Sequence, residues 1–207
     1  IICGGIPILA DVREDTLNID PKEIKSKITP KTRAIIPVDF AGHPVDLDEI
    51  KEIAKIHNLI VIEDACHALG AEYKDKKIGG LSDMTVFSFH PVKSITMGEG
   101  GSVLTDNKEY YDKLCMFRNH NIKHGAKYWQ YEINDIGYNF RLTDIQCALG
   151  ISQLDKLDYF IARRIYIARR YNIAFANLPL MRPTELDCVK SAWHLYVIRV
   201  ENRDRRL

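Results

Sequence analysis

Two runs rich in Ile and Val, Arg33 to Val38 and Leu59 to Ile62, flank a segment from Asp46 to His57. In that segment Leu47, Ile50, Ile53, Ala54 and Ile56 recur at near-helical spacing. A strand, a helix and a strand in this order, joined by short connections, fit two parallel strands linked by a crossover helix. A tight hairpin turn cannot join parallel neighbours. Asp46 stands where an N-cap would, one residue ahead of Leu47. This pattern predicts an α/β fold with a mainly parallel central sheet.

The rest of the chain extends it. Met84 to Ser88 and Gly101 to Thr105 read as two further strands, and Lys108 to Phe117 as a helix. Ile6 to Val12 is also strand-like. Arg118 to Arg141 has no clear period and is rich in Asn, His, Tyr and Gly, which predicts a long functional loop with a hairpin in it. From Thr143, a candidate cap, to about Asn177 the pattern is helical throughout, and Leu195 to Val200 reads as the first strand of a second unit. Residues 1–150 are therefore expected to form part of a large domain. Residues 151–207 would be a linking helix and the beginning of a small C-terminal α+β domain. The chain opens on Ile1-Ile2 without a methionine and closes on Arg205-Arg206-Leu207, just past a strand-like run, so both ends read as cuts through a longer protein.

Bulk properties exclude several classes. The formal net charge is +1, so no charge field marks a nucleic-acid or membrane-surface binder. The five cysteines are odd in number, scattered and without a CxxC pair, which indicates reduced thiols rather than a disulfide framework or a zinc site. No apolar stretch approaches the roughly 18–20 residues that span a bilayer. A cytoplasmic location is expected. Neither a GxGxxG nor a Walker-type phosphate loop is present.

The residues that can carry chemistry lie at two strand ends. Asp64 follows Val61-Ile62-Glu63, at the carboxyl end of an expected parallel strand, and that edge is where open α/β sheets bind ligands. Ser88 ends another strand, and Lys93 comes five residues later in a segment too apolar for an ordinary solvated face. Pro91 and the downstream Gly98-Glu99-Gly100-Gly101 mark a loop where backbone must approach something closely. An acid for a pyridine nitrogen, a hydroxyl for a phosphate and an amine for a Schiff base are what a pyridoxal phosphate site requires. Each residue also has an ordinary reading: Asp64 as a turn cap, Ser88 as a plain strand-end serine, Lys93 as a surface lysine. His67, three residues after Asp64, reads equally as a cofactor contact or as a satisfied, partly buried histidine. Cys66 reads as packing, because no cation is placed in sequence to activate it. His120, His124 and His194 lack metal-like spacing. Arg163-Arg164 and Arg169-Arg170 read as the solvated face of a helix.

Four segments together resemble the DegT/DnrJ/EryC1/StrS family of nucleotide-sugar aminotransferases: Glu63-Asp64-Ala65-Cys66-His67-Ala68-Leu69-Gly70, Phe87 to Lys93, Gly98 to Gly101, and Gly137 to Gln146. The resemblance is collinear over essentially the whole chain. It implies the aspartate-aminotransferase fold (fold type I of pyridoxal phosphate enzymes) and pyridoxal 5′-phosphate as cofactor. By position it implies Lys93 as the Schiff-base lysine, Asp64 as partner of the pyridine nitrogen, His67 near the phenolic oxygen and Ser88 on the phosphate. It further implies a homodimer in which Asn139 reaches the phosphate of the neighbouring subunit's cofactor. The family's Gly-Thr phosphate turn and its ring-stacking aromatic residue are absent from this sequence. Phe89 to Thr96 and Phe117 to Ile122 are most similar to the family branch that makes UDP-4-amino-4,6-dideoxy-N-acetyl-β-L-altrosamine on the route to pseudaminic acid. The implied reaction moves an amino group from L-glutamate to C4 of a UDP-linked 4-keto-6-deoxyhexose. Another nucleotide-linked keto sugar is the alternative, followed by a non-catalytic regulatory or interaction role. Dehydrating relatives replace the lysine with histidine, so Lys93 argues against dehydration.

Overall fold

The computed structural model describes residues 4–201 except Ala126, Tyr128 and Asn134. Helix α1 (Pro21–Lys27) begins where the Asp20 carboxylate accepts the Lys22 N–H at 2.8 Å, with proline in the first turn. Strand β1 (Ala34–Ile35) passes through a 3₁₀ turn at Phe40–Gly42 into α2 (Leu47–His57) and then β2 (Ile60–Asp64). A short hairpin, β3 (Glu72–Tyr73) and β4 (Lys76–Lys77), precedes β5 (Met84–Ser88) and β6 (Gly101–Leu104). The chain continues through α3 (Lys108–Arg118), β7 (Ile122–His124) and β8 (Tyr131–Ile133). It then forms α4 (Asp144–Leu154), α5 (Leu157–Ala174) and β9 (Val189–Lys190).

The central sheet has the order β1-β2-β5-β6. Its first three strands are parallel, with Ile35 beside Val61 and Asp64 beside Val86, while β6 runs antiparallel with Gly101 opposite Ser88. The expected mainly parallel α/β sheet is therefore present. Helix α2 covers it with Leu47, Ile50, Ile53 and Ala54, all buried, and meets Ile35, Val61 and Phe87 in one apolar cluster. Each large apolar side chain buried there stabilises the fold by roughly 1.5–3 kcal/mol. Ile56 is left 69% exposed. At about 100° per residue it lies about half a turn away from Leu47, so the covering face is Leu47, Ile50, Ile53 and Ala54.

Several local expectations are met. The Arg118–Arg141 stretch contains the β7–β8 hairpin, with Ile122 paired to Ile133. Thr143 caps α4 in a reciprocal capping box with Gln146. The 143–177 helical region is two helices, broken at Asp155 and Lys156.

Others are corrected. Asp46 makes no cap bond, because its carboxylate takes the Arg13 guanidinium at 3.0 Å instead. Ile6 to Val12 forms no strand. Among the described residues only the Val12–Ile19 bridge pairs it, and Ile6 and Leu9 stay 85% and 87% exposed. Leu195 to Val200 is not a strand either. The Leu195 N–H is drawn to Ala41 O at 3.1 Å, and Arg199 forms only an isolated bridge with Met181. An apolar run becomes a strand only where a neighbour completes its ladder.

Candidate active site

Because β2 and β5 are parallel, their carboxyl ends share one edge of the sheet, and Asp64 and Ser88 both stand there. The Asp64 backbone is held on both sides. Its N–H donates to Pro37 O at 2.8 Å, and its carbonyl accepts the Asp39 N–H at 3.0 Å. The Asp64 carboxylate turns back on its own loop, Oδ1 accepting the Cys66 N–H at 3.1 Å. Ser88 is half-buried, and its Oγ accepts the His90 N–H at 3.4 Å.

Lys93 lies in the loop that leaves β5. The Lys93 N–H donates to His90 O at 3.0 Å and the Met97 N–H to Phe89 O at 2.9 Å, while Ser94, Ile95 and Met97 are buried and anchor the loop. The return into β6 passes Gly101, where a Cβ would come within 2.8 Å of Phe87 O, so the close backbone approach expected of this glycine run is present there. Lys93 itself is half-buried. Its positive charge acts on Cys66, His67 and His194, so the amine lies on their side of the sheet edge.

His67 is held by the 3₁₀ turn. The Ala41 N–H donates to its Nδ1 at 3.3 Å, which assigns the ring proton to Nε2. Burial, then the Lys93 charge, push the imidazole below its ordinary pKa, and Asp64 opposes them. The His67 ring stands 4.5 Å from that of His194 and 6.1 Å from that of Phe40. His194 is pushed down to about 4, first by burial and then by His67, Lys93 and Arg164. Its Nδ1 is buried and has no hydrogen-bond partner among the described residues. Burial pushes the Cys66 thiol up to about 12, with Asp64 adding to it, so Cys66 is a packed thiol and not a nucleophile.

Backbone packing makes this meeting possible. Gly42 has φ +96°, and a Cβ there would lie 2.9 Å from His194 N and 3.0 Å from His67 O. Arg164, expected on a solvated face, is half-buried and donates to Trp193 O and His194 O at 3.3 and 3.1 Å. Among the described residues no group of three metal-ligating side chains is assembled, and no helix is long and apolar enough to cross a membrane.

The structure thus gathers Asp64, His67, Ser88 and Lys93 at one strand edge. Asn139 is elsewhere. It is exposed, on a segment laid along the C-terminus of α3 by the Asn119–Asn139 bridge and the Tyr138 N–H to Phe117 O bond. Sequence reasoning missed His194, Arg164 and Asp39, which reach the site from distant segments. Glu63 had a visible signal, a carboxyl in register with Val61 on the buried face of a strand.

Three comparisons bear on this geometry. The chain is 41% identical over 208 residues to the spore coat polysaccharide biosynthesis protein SpsC of Bacillus subtilis, covering 97% of this chain and 54% of SpsC. It superposes on Helicobacter pylori PseC, an aminotransferase involved in the biosynthesis of pseudoaminic acid. The TM-score is 0.91 at 38% identity, over 97% of this chain and 54% of PseC. The PLP form of Spr1654 from Streptococcus pneumoniae matches with TM-score 0.86 and 33% identity, over 96% of this chain and 55% of that one. The chain spans about half the length of the relatives it matches, and its fold is that of the two solved aminotransferases. The family model for DegT/DnrJ/EryC1/StrS aminotransferases matches residues 1–207, and the chain belongs to that family.

Proposed function

We propose that the protein transfers an amino group from L-glutamate to C4 of a UDP-linked 4-keto-6-deoxyhexose, with pyridoxal 5′-phosphate held at the Asp64–Lys93 edge. One observation carries this reading: a half-buried amine, a strand-end carboxylate and a neutral imidazole converge where two parallel strands end. The donor set fits the cofactor. A carboxylate suits a pyridinium nitrogen, an amine suits an aldehyde, and the buried, unpartnered Nδ1 of His194 marks a polar wall with unused bonding capacity.

When bound, the cofactor supplies an electron sink that stabilises negative charge on the carbon losing its proton. Lys93 Nζ holds the cofactor covalently and, once displaced, moves a proton to and from the reacting carbon. The Asp64 carboxylate holds the proton on the ring nitrogen, and its bond from the Cys66 N–H keeps it aimed. His67, with Nδ1 occupied by Ala41, uses its Nε2–H to hold the phenolic side of the ring. Ser88 Oγ binds the phosphate. Asn139, exposed on its separate segment, serves the phosphate of a second copy, so the working unit is a homodimer.

We divide the chain into a partial cofactor-binding domain, 1–150, and a linking helix leading into a small domain, 151–207. Four described free cysteines support a cytoplasmic enzyme. Likeness to SpsC as well as to PseC favours, as second reading, another nucleotide-linked keto sugar. The test is to incubate the full-length enzyme with L-glutamate and a panel of UDP-4-keto sugars and weigh the products. A UDP-4-amino-6-deoxyhexose with matching 2-oxoglutarate is expected. Failure to aminate any keto sugar overturns the proposal.

A further inference from the structure

Directly beneath the site lies a pair of acids that the proposed chemistry leaves unused. Asp39 and Glu63 are both 0% exposed. Glu63 Oε2 accepts the hydroxyls of Ser82 at 3.0 Å and Thr85 at 2.9 Å, and Asp39 Oδ1 accepts the Val45 N–H at 3.0 Å. The two remaining oxygens, Asp39 Oδ2 and Glu63 Oε1, are buried and, among the described residues, have no donor if both groups are ionised. Each carboxyl nevertheless acts on the other as a hydrogen-bonding neighbour, and these two free oxygens are the only ones the pair has left. Two buried anions in contact cannot both keep their charge without a cation to pair them. The charged groups facing them are Lys51 on α2, which acts on Glu63, and Asp64, whose negative charge acts on Asp39.

We infer that Asp39 and Glu63 share one proton, Asp39 Oδ2–H donating to Glu63 Oε1, and that this buried bond positions Asp64 and His67. With that proton in place all four carboxyl oxygens are satisfied. Asp39 is the member that keeps it: burial and then the Glu63 charge push its carboxyl well above the usual range. Glu63 is also raised by burial but held back by the bonds from Thr85, Ser82 and Asp39. The positional consequence follows from connectivity. Glu63 immediately precedes Asp64. The Asp39 N–H donates to Asp64 O at 3.0 Å, and Asp39 O accepts the Gly42 N–H at 3.2 Å, closing the turn that presents the Ala41 N–H to His67. The bond therefore ties β2 to that turn. Losing the proton would set two anions against each other across this tie. The role toward Asp64 and His67 rests on the proposed function, whereas the shared proton does not.

The experiment uses the full-length protein with and without cofactor. Infrared spectra at neutral pH should show a protonated carboxyl band in the wild type that is lost in Asp39→Asn. That variant keeps an N–H donor for Glu63 and an acceptor for Val45, so it should fold. The sign of the pH effect is set by the raised carboxyl. The native state holds a proton that the unfolded chain has released, so stability falls as pH rises. Above the histidine range, for as long as the native pair holds this proton, the unfolding constant should rise with pH, by up to about tenfold per pH unit. The factor should vanish in Asp39→Asn. Absence of the band, or equal slopes in the two proteins, overturns the shared proton. Positioning has its own readout. As the band disappears at higher pH, the ring-nitrogen NMR signal of His67 should shift with the same midpoint, and Asp39→Asn should abolish that shift. A His67 signal that ignores the midpoint overturns the positioning role while leaving the proposed transamination standing.

Discussion

Glu63 and Asp64 are consecutive carboxyl residues with opposite surroundings. Successive side chains on a strand point to opposite faces, and β2 alternates in burial along its length. Glu63 therefore faces the core, fully buried, bonded by Ser82 and Thr85 and in contact with Asp39. Asp64 faces the strand-end edge, half-buried, with one backbone bond to its carboxylate. The first carboxyl has its partners inside the fold. The second has bonding capacity left for a ligand, close to the Lys93 charge and His67. Residue type and sequence position are nearly the same for both. What separates structure from function here is whether the fold itself fills the lone pairs.

The sharpest test of that contrast is the amine. If Lys93 has the role proposed for it, Lys93→Ala should lower kcat of the full-length enzyme by about 10³-fold or more, since covalent attachment and proton transfer would both be lost. Melting temperature should change little. Borohydride reduction of the loaded wild type should fix the cofactor's mass on the peptide carrying Lys93, and label on another lysine would remove Lys93 from the mechanism.

The neighbouring carboxyls can then be set against each other. Asp64→Asn keeps the size and the Cys66 N–H bond but not the charge, so kcat should fall by about 10²-fold or more with unfolding free energy changed by less than about 1 kcal/mol. Glu63→Ala should do the reverse, costing about 3 kcal/mol of stability by leaving Asp39, Ser82 and Thr85 without their acceptor. Chemical denaturation and steady-state kinetics on both variants decide it. If Asp64→Asn transaminates normally, Asp64 is a turn cap and the two carboxyls are alike in being structural.

The sequence carried unequal shares of this picture. Helix α2, strands β2 and β5 and the Thr143 capping box were legible because each is specified by its own residues: an apolar face, an Ile/Val run, a Thr-x-x-Gln signature. Ile6–Val12 and Leu195–Val200 were misread as strands because a strand is completed by its partner, which local pattern does not supply. Asp46 was misread as a cap because Arg13 competes for its carboxylate. Asp64, His67, Ser88 and Lys93 lie within one short stretch, and parallel pairing of β2 with β5 brings their strand ends to one edge. His194 and Arg164 carry no local mark. Their placement comes from the 191–195 backbone docking on Ala41 and Gly42.

That docking yields the next prediction in size. Gly42→Ala would force a side chain into a left-handed backbone and against His194 N and His67 O. A loss of about 2–3 kcal/mol is expected, together with weaker cofactor binding as His67 and His194 are pushed apart. If cofactor affinity is unchanged, the two histidines are not held by this contact. A smaller substitution effect at Gly42 than at Glu63 is what the contrast between edge and core requires.

The smallest effect expected is a pH dependence on the acid side. His43, His67 and His194 are all held below the ordinary imidazole value, with burial the first cause in each. The unfolded chain takes up protons on these rings near pH ~6.5, whereas the native state resists. Their contribution to stability is therefore fully present above ~6.5 and is lost as pH falls toward the native values, reaching about 4 for His194. His194→Phe keeps a ring beside His67 and removes the titrating nitrogen that has no partner. Its melting temperature should fall less than that of the wild type between pH 6.5 and 4, by a modest margin because the ring is only partly buried. Since Asp39 sends stability in the other direction, down as pH rises from its unfolded value of ~3.9, it opposes the histidines over the acid range and acts without them above ~6.5. Parallel melting curves for wild type and His194→Phe over pH 4 to 6.5 would mean that His194 takes up its proton as readily in the native protein as in the unfolded chain. Below pH ~6.5 the site would then carry a cation beside Lys93, and burial would not be what sets the charge of this ring.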